Sequence, residues 1–311
     1  MIQPSGNVLI SIITAPLSYW SDWCARKPHF LFWLRALIIT IFIFLLLSIL
    51  ISQPHIFVEA NWSILASILI VGVPASIFVR AYQFLLIARL LHVPHTLSTS
   101  WNVVMAVSIA NLLPFPAGIA IRIAALKTEK SRYHRIASLN LLISGLSLAI
   151  ASIAIGGALF DLPSWSVPLI GFGTLFFFLS VVGLFMHHVS WRITIYLVLL
   201  QVMGFTIDLV RIFICATAFG FSPQIDQVVV LSVANVIASL AAVAPGGFGI
   251  REVTAITLAH LVDLNSSLAF VFSSTNGIIG AIFLLIYLGV NTLAISLRSL
   301  NSRFRIDRHE N

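Results

Sequence analysis

Apolar runs long enough to cross a bilayer, broken at two places by proline and glycine, set what this chain can fold into. Six runs approach or exceed the roughly 20 residues that a spanning helix needs: about 30–52, 62–86, 136–160, 167–186, 193–219 and 267–296. None shows the ~10-residue alternating segments of a membrane β-barrel. Hydrophobic residues make up 59% of the chain and charged residues 9%, with mean hydropathy +1.06, which excludes an ordinary soluble domain. The expected class is an all-α polytopic membrane protein. The first twenty residues lack a basic region and a small-residue cleavage site, so no signal peptide is expected.

Two further apolar stretches are too short to cross. Residues 98–113 and 119–126 flank Asn111, Pro114, Pro116 and Gly118. Residues 228–243 and 253–262 flank Pro245, Gly246, Gly247, Gly249, Arg251 and Glu252. At about 1.5 Å per residue, each arm reaches only part-way through the hydrocarbon. Proline and glycine free backbone groups that lipid cannot satisfy, so such breaks occur where protein or a wet cavity surrounds them. Both stretches therefore read as re-entrant helical hairpins beside six full spans. The organisation expected is an interfacial segment at 1–29, one transmembrane domain at 30–297 and a basic tail at 298–311. Tyr19, Trp20, Trp23, Arg26 and Lys27 anchor the first of these at the interface.

The charge pattern agrees. Seventeen Lys and Arg against ten Asp and Glu give a net charge of +7, which could suggest a nucleic-acid partner. Instead, fourteen of the seventeen fall at or near one side, while the opposite stretches carry Glu59, Asp161, Asp226 and Asp263 and no Lys or Arg. The positive-inside rule then places both termini in the cytoplasm, and no nucleic-acid partner is expected. Arg122, Arg211 and Arg251 remain inside the membrane.

Each half, about 30–160 and 165–297, reads span, span, hairpin, span, and the halves start on opposite sides. That is an inverted 3+3 repeat, an arrangement transporters use to build a site at the midplane. Pro116 to Arg122 aligns without gaps with Pro245 to Arg251, matching proline, glycine, isoleucine and arginine at four of seven positions.

Two hairpin tips meeting from opposite faces would bring Arg122 and Arg251 together, with Gly118, Gly246, Gly247 and Gly249 exposing backbone N–H groups beside helix N-termini. Such a site suits an anion, phosphate above all, because arginine offers a planar fork to its oxygens. Arginine in hydrocarbon needs counter-charge. Asp208 and Arg211, three residues apart, share a helix face and can pair, and that face is expected to turn toward the second hairpin. Glu252 is next to Arg251, but adjacent helix residues point in different directions; the pair reads either as ligand-binding or as a cap that locks the hairpin. Asn140, Asn235 and Asn276 are polar positions within spans, read as cavity lining or as helix–helix hydrogen bonds. Ser273, Gly277 and Ala281 read as close helix packing. Cys24 and Cys215 are too few for a disulfide framework, and His187-His188 reads as a helix end in the interface rather than a metal site. No metal, cofactor or catalytic constellation is expected.

The stretch Ala244 to Glu252 resembles the Pro-Gly-Gly-x-Gly-x-Arg-Glu motif of the lysylphosphatidylglycerol synthase transmembrane family, the flippase-like domain family. Asn111 through Pro114, Gly118 and Arg122 is similar to that family's earlier motif, except that Ile119 stands where the family often has Asp or Glu. The resemblance, which spans about 30–296, implies a flippase that moves a lipid across the bacterial inner membrane. The chain ends fifteen residues after the last span, without a soluble aminoacyl-transfer domain, so lysyl transfer by this protein is not expected. The sequence reading is thus a non-enzymatic lipid transporter whose polar or anionic headgroup, of phospho- or isoprenoid type, binds between the hairpins. The alternatives are a non-catalytic membrane subunit partnering a lipid-modifying or glycosyl-transferring enzyme, and a transporter of a small soluble anion.

Overall fold

A computed structural model of the chain describes residues 58–112, 117–126, 133–241 and 247–306, with isolated positions between 40 and 51, and side chains as far as 291 in the last helix. The expected first span, the interfacial anchor and the basic tail's side chains lie outside the described residues. The described residues are helical and contain no strand. Five helices are long and apolar enough to span: α1 (Trp62–Leu90), α4 (Tyr133–Ala158), α5 (Pro163–Met186), α6 (Trp191–Ala218) and α9 (Ser266–Ile306). Their mean hydropathy lies between 2.0 and 2.3, so the chain is a multi-pass membrane protein. The described residues also form four shorter α-helices: α2 (Leu97–Ala110), α3 (Ala117–Leu126), α7 (Ile225–Ala241) and α8 (Ile250–Ala259).

Boundaries follow local chemistry. The side chain of Asn61 accepts from the N–H groups of Ser63 and Ile64 and caps α1. Pro163 opens α5 at a position where no N–H is needed. His92 and His188 adopt left-handed conformations after α1 and α5, where the Val93 and Val189 N–H groups turn back to carbonyls of the last turn. Within α1 the chain widens into a π turn at Ile68–Gly72, a feature of tertiary packing that no residue pattern announces.

The helices run antiparallel where their contacts fix direction. At the start of α1 the Asn61 N–H donates to Ala218 O at the end of α6 (2.7 Å). Further along, a methyl carbon of Val79 lies beside Gly204. On α6 and α9, Cys215 Sγ donates to Phe272 O (3.5 Å) and Arg211 Nη2 donates to Asn276 O (3.3 Å), again in antiparallel register. Helix α2 packs on α3, and α7 packs on α8. A side-chain bond joins the far ends of each pair. His95 Nε2 meets Ala125 O (3.0 Å), and Gln227 Nε2 donates to Val262 O (3.3 Å).

Helices α4 and α5 form the tightest pair, and glycine is the reason. A Cβ on Gly173 would lie 2.9 Å from Ala149 O and from the backbone N of Ile153; one on Gly156 would lie 3.0 Å from the backbone N of Ile170. Small residues let two backbones approach where lipid offers no hydrophobic drive for association. The outer face of α5 carries Val167, Phe172, Leu175, Phe178 and Leu179, all exposed, as a lipid-facing surface requires.

Where α4 begins and α5 ends, Arg135 Nη2 donates to the His187 carbonyl (3.3 Å). Partial burial pushes the His187 imidazole below its ordinary 6.5, and the charges of Arg135 and His188 push it the same way.

Two outcomes follow. Gly173→Ala forces backbone apart and lowers unfolding stability by about 1–3 kcal/mol, whereas Gly157→Ala, which meets nothing within 4 Å, is neutral or slightly stabilising. Unfolding midpoints in detergent read both. For His187, stability is full above the ordinary pKa and is lost as pH falls through the depressed folded value. A His187→Asn variant flattens that acid limb in a midpoint-against-pH series.

Candidate functional site

Among the described residues, the interior of the bundle holds more positive than negative charge. Arg211 on α6 is almost fully buried. Its Nη1 donates to Ser76 Oγ (3.2 Å) and reaches Asp208 Oδ1 (3.5 Å), and its Nη2 donates to Asn276 O (3.3 Å). The Ser76 hydroxyl in turn donates to Gly72 O (3.1 Å) at the end of the π turn. Gly72 has no side chain because the arginine stem runs there: a Cβ would sit 2.9 Å from Arg211 Cγ. One guanidinium thus ties α6 to α1 and α9. The expected Asp208–Arg211 pair forms, and it turns to α1 and α9, with Arg251 of the second short pair within electrostatic reach.

Arg251 enters at the first turn of α8. Gly247 and Gly249 both have positive φ (75° and 84°), which lets the chain turn sharply into the helix. Any side chain on Gly247 would also press on Ala238 of α7 (3.2 Å). Glu252 is completely buried. Its Oε2 accepts the Gly249 N–H (2.6 Å), and its Oε1 accepts from Arg251 Nε (3.1 Å) and Nη2 (2.8 Å). The expectation that these neighbours diverge is corrected: the long arginine stem curls back over the helix start, and both nitrogens reach one carboxylate oxygen. Of the two readings left open for Glu252, the geometry displays the turn lock. The helix N-terminus adds its positive end to the stabilisation of that carboxylate.

The Arg251 guanidinium lies on Gly277 of α9 and 5.1 Å from the Phe248 ring centroid. Gly277 therefore serves as the seat of a cation, not only as a point of helix packing. Arg211 binds the Asn276 carbonyl, so the two guanidinia meet adjacent residues of α9.

Arg122 on α3 differs. Its Cζ lies 6.0 Å from the Phe84 ring centroid of α1, and its Nε is buried without a hydrogen-bond partner. Gly118 seats the start of α3 on the end of α2, where a Cβ would strike Asn111 and come within 2.9 Å of Val107 O. Gly118 and Gly247, matched in the sequence alignment, thus do the same job. Gly246 lies outside the described residues.

The sequence reading missed Arg80. It was counted with the charges near one end, yet it sits ten residues before the end of α1, about 15 Å in. It lies within electrostatic reach of both Arg122 and Arg211. Its spacing of four from Ser76 and from Phe84 was the available signal. Arg122 and Arg251 make no direct contact among the described residues; electrostatic reach links Arg122 to Arg80, Arg80 to Arg211, and Arg211 to Arg251.

The polar residues in the spans divide. Asn140 Nδ2 donates to Ile136 O of its own helix (2.9 Å), while its Oδ1 is buried without a partner among the described residues. Asn276 Oδ1, both amide atoms of Asn235, and the hydroxyls of Ser273 and Ser274 are buried without partners among the described residues. Comparisons with protein-family models, with curated proteins and with solved structures find no match to this chain.

Because Glu252 is the partner that neutralises Arg251, Glu252→Gln strands a buried cation and costs about 3–5 kcal/mol of stability. The double change Arg251→Met with Glu252→Gln recovers more than half of that loss. A double-mutant cycle on unfolding in detergent measures the coupling.

Proposed function

We propose that this protein moves a lipid with an anionic headgroup across a membrane, the headgroup passing along the interior arginines while the acyl or isoprenoid chains stay in the bilayer. The observation that carries the reading is the charge imbalance among the described residues: Arg80, Arg122, Arg211 and Arg251 against Asp208 and Glu252 leave two positive charges within an apolar bundle. Uncompensated arginine at that depth is costly, and a bound anion is the economical way to offset it.

The transport architecture has its own support. The bonds His95–Ala125 and Gln227–Val262 close each short helix pair at its base. The first base follows the end of α1, and the second follows the end of α6. Those two helices are antiparallel, so the bases lie at opposite ends of the bundle. This favours two re-entrant hairpins from opposite faces, and with them the inverted repeat. On this reading α1 runs inward, both termini are cytoplasmic, and the membrane is the bacterial inner membrane, in keeping with the resemblance to the lysylphosphatidylglycerol synthase transmembrane family. The chain acts as a transporter without catalysis of its own.

The test is a scrambling assay in proteoliposomes with a headgroup-labelled anionic phospholipid, quenched from outside. The wild-type protein accelerates label loss from the inner leaflet. Arg122→Ala, checked for folding, slows it at least tenfold. A wild-type rate in that variant would sink the assignment of the site.

A further inference from the structure

The four interior arginines are not equivalent, and the difference divides them into two pairs. Arg211 has a serine hydroxyl, a carboxylate and a carbonyl. Arg251 has two bonds to one carboxylate. Among the described residues Arg80 makes no hydrogen bond or ion pair, and Arg122 has the Phe84 ring as its neighbour and a buried Nε with nothing to donate to.

The placement of Arg80 adds the second observation. On a helix of 3.6 residues per turn, the exposed apolar positions Val71 and Phe78 mark the lipid side of α1. Arg80 projects to the opposite side, on the same face as the buried Ser76, Ile77, Gln83 and Phe84 one turn away and Val73 and Ile87 two turns away, yet it is itself exposed. An exposed residue on an otherwise buried face marks an opening in the interior. Gln83 Nε2, buried without a partner, borders the same face. Phe84, one turn beyond Arg80, carries the Arg122 guanidinium, so the opening has one free cation on α1 and another on α3.

We propose that Arg80 and Arg122 together form the ligand-contacting site, and that it takes a phosphoryl group of charge near −2, a phosphomonoester. The inference rests on the transport reading for its biological sense and names the headgroup chemistry. Two unpaired guanidinia carry two positive charges. A phosphomonoester at pH 7 carries about −1.5 to −2 and three acceptor oxygens, whereas a phosphodiester carries one negative charge and would leave one arginine unanswered. Arg211 and Arg251, already satisfied, hold the helices that frame the site.

The experiment measures binding, not transport. Purified protein in nanodiscs is titrated with phosphatidic acid, phosphatidylglycerol, phosphatidylcholine and inorganic phosphate. Arg80→Gln, Arg122→Gln and Arg251→Gln are compared, with circular dichroism and unfolding midpoints as controls of fold. Phosphatidic acid should bind at least tenfold more tightly than phosphatidylglycerol, and phosphatidylcholine should not compete. Arg80→Gln and Arg122→Gln should each weaken phosphatidic acid at least tenfold with midpoints kept, while Arg251→Gln lowers the midpoint. Inorganic phosphate bound as tightly as phosphatidic acid, with the same two-arginine dependence, supports the site and removes the lipid from the function. Binding that ignores Arg80 and Arg122, equal affinity for the two anionic lipids, or no binding of any probe overturns the proposal. If Arg122→Gln fails to fold, Arg122→Lys, which keeps the charge and loses the fork, should weaken binding while Arg80→Gln alone still decides the α1 half.

Discussion

A guanidinium inside an apolar bundle must have its donors answered, and that requirement shapes the centre of this fold. Arg211 meets it by reaching across two helix interfaces at once. The widened turn of α1, the absent side chain at Gly72 and the Ser76 hydroxyl are all fitted to that single side chain. Its donation to the Asn276 carbonyl draws α9 against α6 at the same level. With two charges in a medium of low dielectric, desolvation rivals attraction, so such a cluster fixes geometry more surely than it adds stability.

Much of this framework is legible in the chain. Hydropathy places the described spans to within a few residues, because lipid exposure and helical length leave little freedom. The breaks at Pro116–Gly118 and Pro245–Gly249 locate both short helix pairs, and the glycines appear where α3 and α8 press on their partners. The π turn is not legible: it inserts one residue into an apolar run with no sequence mark, and it lies against the arginine of another helix. The closeness of α4 and α5 is only half legible, since Gly157 and Gly173 look alike in sequence and differ wholly in what they face.

The site is read less completely, for physical reasons that differ by residue. Asp208 and Arg211 share a helix face, so spacing alone pairs them. Arg251 and Glu252 pair against that logic, because a long side chain at a helix start can fold back where no preceding turn blocks it. Gly277 carries no sign that a guanidinium will lie on it; that is a property of α8 and α9 together. Arg80 is the instructive omission. A charge count sorts residues by their nearest loop, and depth along a helix is invisible to it.

The alignment of the two short pairs explains why their arginines fare differently. Arg122 corresponds to Arg251, and the residue after each decides its state: Glu252 in the second pair, Ile123 in the first. Glu252 takes the Gly249 N–H and both reachable nitrogens of Arg251, so the second turn and its arginine are fixed as one unit. Isoleucine can do neither. The first pair, lacking an acid here and at Ile119 too, keeps its glycine contact to the preceding helix but leaves its cation beside Phe84 without an ion-pair partner among the described residues. A single carboxylate therefore separates a structural arginine from an available one. The two stretches align in sequence, and the difference in one neighbouring side chain gives their arginines different surroundings.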